Sequence, residues 1–353
     1  MRVLGIESSC DETAAAVVED GWRLLSNAVA SSMDIQAQYG GVVPELSARS
    51  HIEAVMPIIQ QALDDADCTW DDIDAIAVTY GAGLNGSLLI GVLAARTLAI
   101  VKNKPLYAIN HMEAHMYANF LTSTSLPGYE MRAHQPEFPI LGLVVSGGHS
   151  QLVVWHDHFD YTLLGETQDD AVGEAFDKVA KIVGLPYPGG ISVSKMARLG
   201  DPSKYKLPKA RMEKKYDFSF SGLKTAVLRT AQAAVGKDYS LPSIELPALL
   251  NETQKRDLAA SFERTAYETL VDKTVMAFEE FTPKSLVIGG GVASNPELRR
   301  QLAERVPLAI EYPDRKLCSD NGAMIATLGC FYMLHGRPTA DPYTLECAPN
   351  LSM

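Results

Sequence analysis

The sequence predicts an α/β protein of two domains with related cores, and three observations carry that expectation. The chain has 353 residues, enough for about two separate cores. Short apolar runs of strand length alternate with longer segments of helical spacing. A strand–turn–strand pattern occurs twice, once as Leu4-Gly-Ile-Glu-Ser-Ser with a following Ala-Val-Val, and again as Leu141-Gly-Leu-Val-Val-Ser-Gly-Gly-His-Ser-Gln-Leu-Val-Val. The offset of ~137 residues is too long for a solenoid repeat and about one domain long.

The elements follow in order. Val3–Glu7 and Thr13–Glu19 read as strands around a polar turn, with a third antiparallel strand at Arg23–Ala30. Glu45–Ala66 has helical spacing, with Leu46, Val55, Ile58, Ile59 and Leu63 on one side. Asp74–Tyr80 reads as a strand, Ser87–Val101 as a helix of small residues and Leu106–Ile109 as a short strand, with Asn110 placed to cap the next helix. Residues 121–138, rich in Ser, Thr, Pro and charge, read as a connection between domains. Beyond the second strand pair, helices are expected at Asp169–Val183, Ser192–Leu199, Phe220–Val235 and Asp257–Phe281. A buried strand follows at Ser285–Ile288, then helices at Pro296–Arg305 and Asp320–Leu334.

Composition narrows the function classes. Apolar content of 47% and charged content of 21% are those of a globular protein, and a net charge of −12 argues against a surface that coats nucleic acid generally. Five scattered cysteines with no Cys-x-x-Cys pair suit a reducing compartment. The N-terminus meets Glu7 too early for a signal peptide, and the apolar stretch Leu88–Val101 is interrupted by Arg96 and short for a bilayer. The expected location is the cytoplasm, without membrane association.

Chemistry concentrates first at His111-Met-Glu-Ala-His115. On a helix, imidazoles four residues apart lie ~40° apart on the wheel and can share one metal ion. Glu113 lies about 200° from His111, unlike the second-position glutamate of the zinc-protease motif, which argues against a metalloprotease. Three glycine turns follow apolar strands: Tyr80-Gly-Ala-Gly, Ser146-Gly-Gly-His and Gly289-Gly-Gly-Val-Ala-Ser-Asn. Glycine lets backbone approach a ligand, and turn amides attract phosphate, although tight packing between strand and helix is the simpler use of each. None has the phosphate-loop or dinucleotide spacing. Together with the duplication they suggest a nucleotide in a cleft between related halves. Asp177 could accept from ribose hydroxyls or pair with Lys181, and Gly189-Gly190 could pass under a sugar or simply open a helix.

Gly5-Ile-Glu-Ser-Ser-Cys-Asp-Glu-Thr13, Gly40-Gly-Val-Val-Pro-Glu-Leu46, the histidine motif, Val145-Ser-Gly-Gly-His149, Gly173-Glu-Ala-Phe-Asp-Lys178, Tyr187-Pro-Gly-Gly190, Asp217-Phe-Ser-Phe-Ser-Gly-Leu-Lys224, Gly289-Gly-Gly-Val292 with Asn295, and Asp320-Asn-Gly-Ala-Met-Ile325 occur in this order. Together they resemble the universal tRNA threonylcarbamoyladenosine synthase family in its bacterial TsaD form, over about residues 1–335. The resemblance implies two duplicated actin-like (ribonuclease H-like) domains around a central nucleotide cleft, here residues 1–125, with a final helix at 321–341 packing back, and 139–320. It implies transfer of threonylcarbamoyl from threonylcarbamoyl-AMP to the exocyclic amine of the tRNA adenosine 3′ of the anticodon. It also implies a divalent metal, iron or alternatively zinc, on His111, His115 and Asp320. Substrate or adenine nucleotide (threonylcarbamoyl-AMP, AMP or ATP) falls to Val144, Val145, Ser146, Gly147, Gly148, Asp177, Gly190 and Asn295. The implied partners are tRNA, a paralogous actin-like protein and a small ATPase. Ser8, Ala82 and Ser150 depart from the pattern in small ways, and Ser194 stands where many members carry an acid.

The implied chemistry needs an aromatic amine positioned against an activated carbonyl, with a metal to polarise it, amides of Ser146–Gly148 to hold phosphate, and Asp11 or Glu12 to orient the amine or take its proton. The tRNA needs cations, and Lys195–Arg229 carries ten of them against three acids. Lys209, Arg211, Lys214 and Lys215 are the expected centre of that contact. The alternatives are a small-molecule kinase of the same fold and a nucleotide-dependent scaffold with a structural metal.

Overall fold

The computed structural model describes the whole chain, Met1–Met353. It divides into one unit of Met1–Pro136 with Tyr312–Met353, and a second of Glu137–Glu311. Residues 312–320, expected in the second domain, thus fall in the first unit.

In the first unit β1 (Arg2–Glu7), β2 (Glu12–Glu19) and β3 (Arg23–Ser31) form an antiparallel meander. The short helix α1 (Met33–Ala37) and the long α2 (Pro44–Asp65) follow. Val55, Ile58, Ile59, Ala62 and Leu63 of α2 are buried, a stripe at helical spacing that faces the core. β4 (Ala75–Gly81) pairs parallel with β1, and β5 (Leu106–Asn110) pairs parallel with β4 across helix α3 (Asn85–Lys102). β5 runs directly into α4 (His111–Tyr117), and β6 (Ser123–Thr124) closes the sheet beside β3 in the order β5-β4-β1-β2-β3-β6.

α3 is longer than expected and has the length and apolarity of a membrane span. Its Leu88, Val92, Ala95 and Ala99 are nevertheless buried in the core of the first unit. Arg96, the charge that interrupts the run, donates to three carbonyls of the C-terminal segment: Pro342 at 2.6 Å, Tyr343 at 2.6 Å and Leu345 at 3.1 Å. Arg96→Ala is expected to cost roughly 1–3 kcal/mol and to expose residues 341–353 to limited proteolysis; an unchanged cleavage pattern would show that the segment is held elsewhere.

In the second unit β7 (Ile140–Val145), β8 (Ser150–Asp157) and β9 (Asp160–Glu166) repeat the meander. Five helices follow: α5 (Val172–Val183), α6 (Gly189–Ala197), α7 (Ser221–Ala234), α8 (Leu246–Leu249) and α9 (Glu252–Phe281). β10 (Ser285–Gly289) then pairs parallel with β7, and β11 (Ile310–Glu311) pairs parallel with β10 across α10 (Pro296–Arg305). The order β11-β10-β7-β8-β9 matches β5-β4-β1-β2-β3 strand for strand, in pairing direction as well as in sequence. This is the duplication expected from the Leu4 and Leu141 motifs, in the actin-like form that the family resemblance implies.

Helix starts moved where side chains found other work. α5 opens at Val172 because Asp169 accepts from Phe220 N at 2.8 Å and Asp170 pairs with Lys178 at 2.6 Å and Lys224 at 3.3 Å. α9 opens at Glu252, not Asp257, since Asn251 and Gln254 form a reciprocal capping box. The last helix, α11 (Gly322–Leu334), belongs to the first unit and is capped by Asn321, whose Oδ1 accepts from Met324 N at 3.0 Å. Asp320, expected to open that helix, lies outside it. α11 is buried from Gly322 to Phe331 and crosses β1 and β2 at glycine distance. A Cβ on Gly5 would stand 2.3 Å from Ala326 N, and one on Gly322 2.5 Å from Ala16 N.

Candidate functional site

Asn110 ends β5 and caps α4, its Oδ1 accepting from Met112 N at 2.9 Å and Glu113 N at 3.4 Å. The cap fixes the first turn that carries His111, with His115 one turn on. Both rings are buried, their centroids 4.7 Å apart. Asp320 Oδ1 lies 3.5 Å from His111 Nε2 and 3.2 Å from His115 Nε2. One ligand atom from each residue can be drawn within 4.8 Å of the others. Neither nitrogen of the His115 ring makes a hydrogen bond. An orphaned buried ring costs about 1–3 kcal/mol, a cost that coordination would remove. Two imidazoles and one carboxylate suit iron or zinc and leave coordination positions open. The residues fit a divalent metal.

Behind His111 stands Glu7, a residue that sequence reasoning missed. Its Oε2 is 3.1 Å from His111 Nδ1 and also accepts from Thr79 Oγ1 at 2.6 Å, while Ser9 N donates to Oε1. A carboxylate on Nδ1 keeps the proton there and leaves Nε2 free to bind. Burial alone would raise the Glu7 carboxyl, but the facing His111 pulls it below the usual range. Burial likewise opposes charge on His111, yet the charges of Asp320 and Glu7 raise the imidazolium to about 9, so a cation binding at Nε2 must displace that second proton. The available signal was an acid ending a wholly apolar strand. Glu7→Gln is expected to lower metal affinity about 10–100-fold, read by competition with a chelator of known affinity. Unchanged affinity would remove Glu7 from this role.

Glu113 faces away, as the helix wheel requires. Its Oε2 accepts from Tyr332 OH at 3.3 Å, and burial pushes the carboxyl up to about 7. Glu12 is buried on the β1–β2 side, where burial, then the charge of Asp320, then Asp11 push it up to about 10. Asp11 is half-buried beside it, and its carbonyl accepts from Ser32 N and Oγ, each at 2.9 Å.

The second unit gathers the other expected residues. Val144 and Val145 are wholly buried in β7, so only their backbone is available to a ligand. In the turn that follows, Ser146 N donates to His149 O at 2.9 Å. That amide is therefore committed, and of the three turn amides only those of Gly147 and Gly148 are left for a ligand. Gly147 O accepts from Glu174 N at 3.0 Å, which docks the turn on the start of α5. The third glycine turn lies against the same strand end, since a Cβ on Gly290 would stand 2.2 Å from Val145 O. Asp177 Oδ1 accepts from Gly189 N at 2.7 Å rather than serving Lys181, and so holds the Gly189-Gly190 turn. A Cβ on Gly147, Gly148, Gly190 or Gly291 would meet nothing within 4 Å. Asn295 caps α10 through Oδ1 and donates from Nδ2 to Ser194 Oγ at 2.7 Å. The Tyr80-Gly-Ala-Gly turn, by contrast, is filled by protein. A Cβ on Gly81 would stand 2.1 Å from Ala348 O, and one on Gly83 2.6 Å from Ser9 O.

The basic segment is partly neutralised. Lys209 pairs with Asp272 at 2.6 Å and Lys215 with Glu280, both acids on α9. Lys206, Arg211 and Lys214 are exposed and make no ion pair.

Residues 23–327 match the family described as TsaD, tRNA N6-adenosine threonylcarbamoyltransferase. A protein of that name from Thermomicrobium roseum is 47% identical over 362 residues, covering 100% of this chain and 97% of its own. Another from Symbiobacterium thermophilum is 47% identical, covering 99% and 96%. The solved structure of HypF from T. kodakarensis is similar in fold, with a TM-score of 0.58 at 13% identity, over 97% of this chain and 49% of that one.

Proposed function

The chain belongs to the tRNA N6-adenosine threonylcarbamoyltransferase family, and from that membership we propose that it transfers threonylcarbamoyl from threonylcarbamoyl-AMP to the exocyclic amine of the tRNA adenosine 3′ of the anticodon. The N6–carbonyl bond forms, the carbonyl–phosphate bond breaks, AMP leaves and the amine gives up one proton. The observation that carries the reading is the buried imidazole pair with Asp320 Oδ1 at 3.5 and 3.2 Å. His111, His115 and Asp320 hold a divalent cation, iron or alternatively zinc. Bound there, the ion supplies Lewis acidity to the carbonyl and charge for the oxyanion.

The remaining roles fall to the chain itself. Gly147 and Gly148 amides face the phosphate, and Asp177 through the turn it holds, Gly190 and Asn295 position the nucleoside. Holding donor and amine in register supplies up to about 7–11 kcal/mol, the largest contribution available to an already activated donor. Asp11 or Glu12 is assigned to orient the amine or take its proton, and Glu12, protonated up to about 10, can only orient it. A paralogous actin-like protein and a small ATPase are the proposed partners, in the cytoplasm, where the five free thiols stay reduced.

The test is incubation with threonylcarbamoyl-AMP, tRNA and those partners, followed by mass spectrometry of the digested nucleosides. Absence of threonylcarbamoyladenosine from a metal-replete sample would overturn the proposal. For tRNA contact, Arg211 and Lys214 stay from the four residues first expected, and exposed Lys206 stands in for the paired Lys209 and Lys215. Changing these three to Ala is expected to weaken binding and to reduce the slope of log affinity against log salt by about 2–3. An unchanged slope places the tRNA elsewhere.

A further inference from the structure

We propose that Glu263 accepts hydrogen bonds from the ribose hydroxyls of the bound nucleotide and sets the preference of this site for ribose over deoxyribose. The inference rests on the nucleotide site proposed above and adds to it a residue from α9. Glu263 is 7% exposed, and its Oε1 accepts from Ser194 Oγ at 2.5 Å and from Asn295 Nδ2 at 3.2 Å. Its Oε2 makes no hydrogen bond within the protein and is not sealed from solvent. No lysine or arginine pairs with it. A buried carboxylate anchored through one oxygen, with Arg198 acting on it only from beyond ion-pair distance, is a costly way to tie helices together, and a neutral amide would serve that purpose.

The surroundings point the free oxygen to a ligand. Ser194 stands one turn after Gly190 on the same face of α6, and beyond Gly190 the space is open. Asn295 reaches the same serine from the glycine turn at the end of β10. Asp177, the other carboxylate of this region, already has Oδ1 committed to Gly189 N. A carboxylate only accepts, and adjacent sugar hydroxyls are a matched pair of donors. A site built to bond a hydroxyl rejects the analogue that lacks it, because the buried acceptor is then left alone.

Isothermal titration of the full chain with AMP, 2′-deoxy-AMP and 3′-deoxy-AMP tests this. The unaltered chain is expected to prefer AMP over at least one deoxy analogue by roughly tenfold or more. Glu263→Ala should bring that ratio within about twofold while keeping affinity for the deoxy analogue, and Glu263→Gln, which preserves shape, should fall between. The ratio is informative because a merely structural role would weaken all three ligands alike. Should the alanine variant fail to fold, the glutamine variant carries the test. A ratio unchanged by substitution, or parallel loss of every ligand, overturns the proposal while leaving the nucleotide site standing. Failure of the unaltered chain to bind AMP overturns both.

Discussion

His115→Ala is expected to yield a folded chain without metal, and with transfer activity lowered at least about a hundredfold. The fold should survive because Nδ1 has no partner and Nε2 meets only Asp320 Oδ1 at 3.2 Å, so the substitution deletes packing and one contact while relieving a desolvated group. The metal should not survive, because only His111 and Asp320 remain. Elemental analysis, circular dichroism and nucleoside mass spectrometry on one preparation separate the outcomes. A folded, metal-free variant that still transfers at the original rate would remove the ion from the chemistry. A variant that unfolds would make the ion structural and favour the scaffold alternative.

The second large effect concerns stability. Gly5→Val is expected to cost about 3–5 kcal/mol, read as a shifted midpoint in chemical denaturation. Even the first added carbon would stand 2.3 Å from Ala326 N and 2.4 Å from Gly322 O. Both are backbone atoms of α11, so no side-chain rotation can yield, and the helix must lift from β1. Asp320 immediately precedes that helix, and activity should fall with stability. A loss under about 1 kcal/mol would show that α11 slides freely on the sheet.

These two sites also mark how far the sequence could be read. The duplication was legible because apolar strands and glycine turns are local signals, and the two sheets share five strands in one order. The imidazole pair was legible because helical spacing alone puts both rings on one side. The third ligand was not: Asp320 meets the rings through the packing of α11, and only a family resemblance pointed to it. Glu7 was missed because a buried acid in a strand shows its purpose only when its partner, a hundred residues on, is seen at 3.1 Å. Asp169 and Asp320 were both read as helix openers, a reasonable use of acids near a positive helix end. Long-range partners claimed them instead, and Asn321 took the cap. The Gly81–Gly83 turn had the composition of a ligand loop, and the chain's own residues 348–349 fill it.

The second unit is inserted between His115 and Asp320 along the chain, so an ion held by both clasps segments that would otherwise drift apart on denaturation. Its release is then part of unfolding, and apparent stability should climb by about 1.4 kcal/mol for each tenfold rise in free ion above the dissociation constant. Two batches of identical polypeptide, one stripped by chelator and one not, are therefore different thermodynamic samples. Thermal comparisons among variants of this protein acquire meaning only at a buffered ion activity.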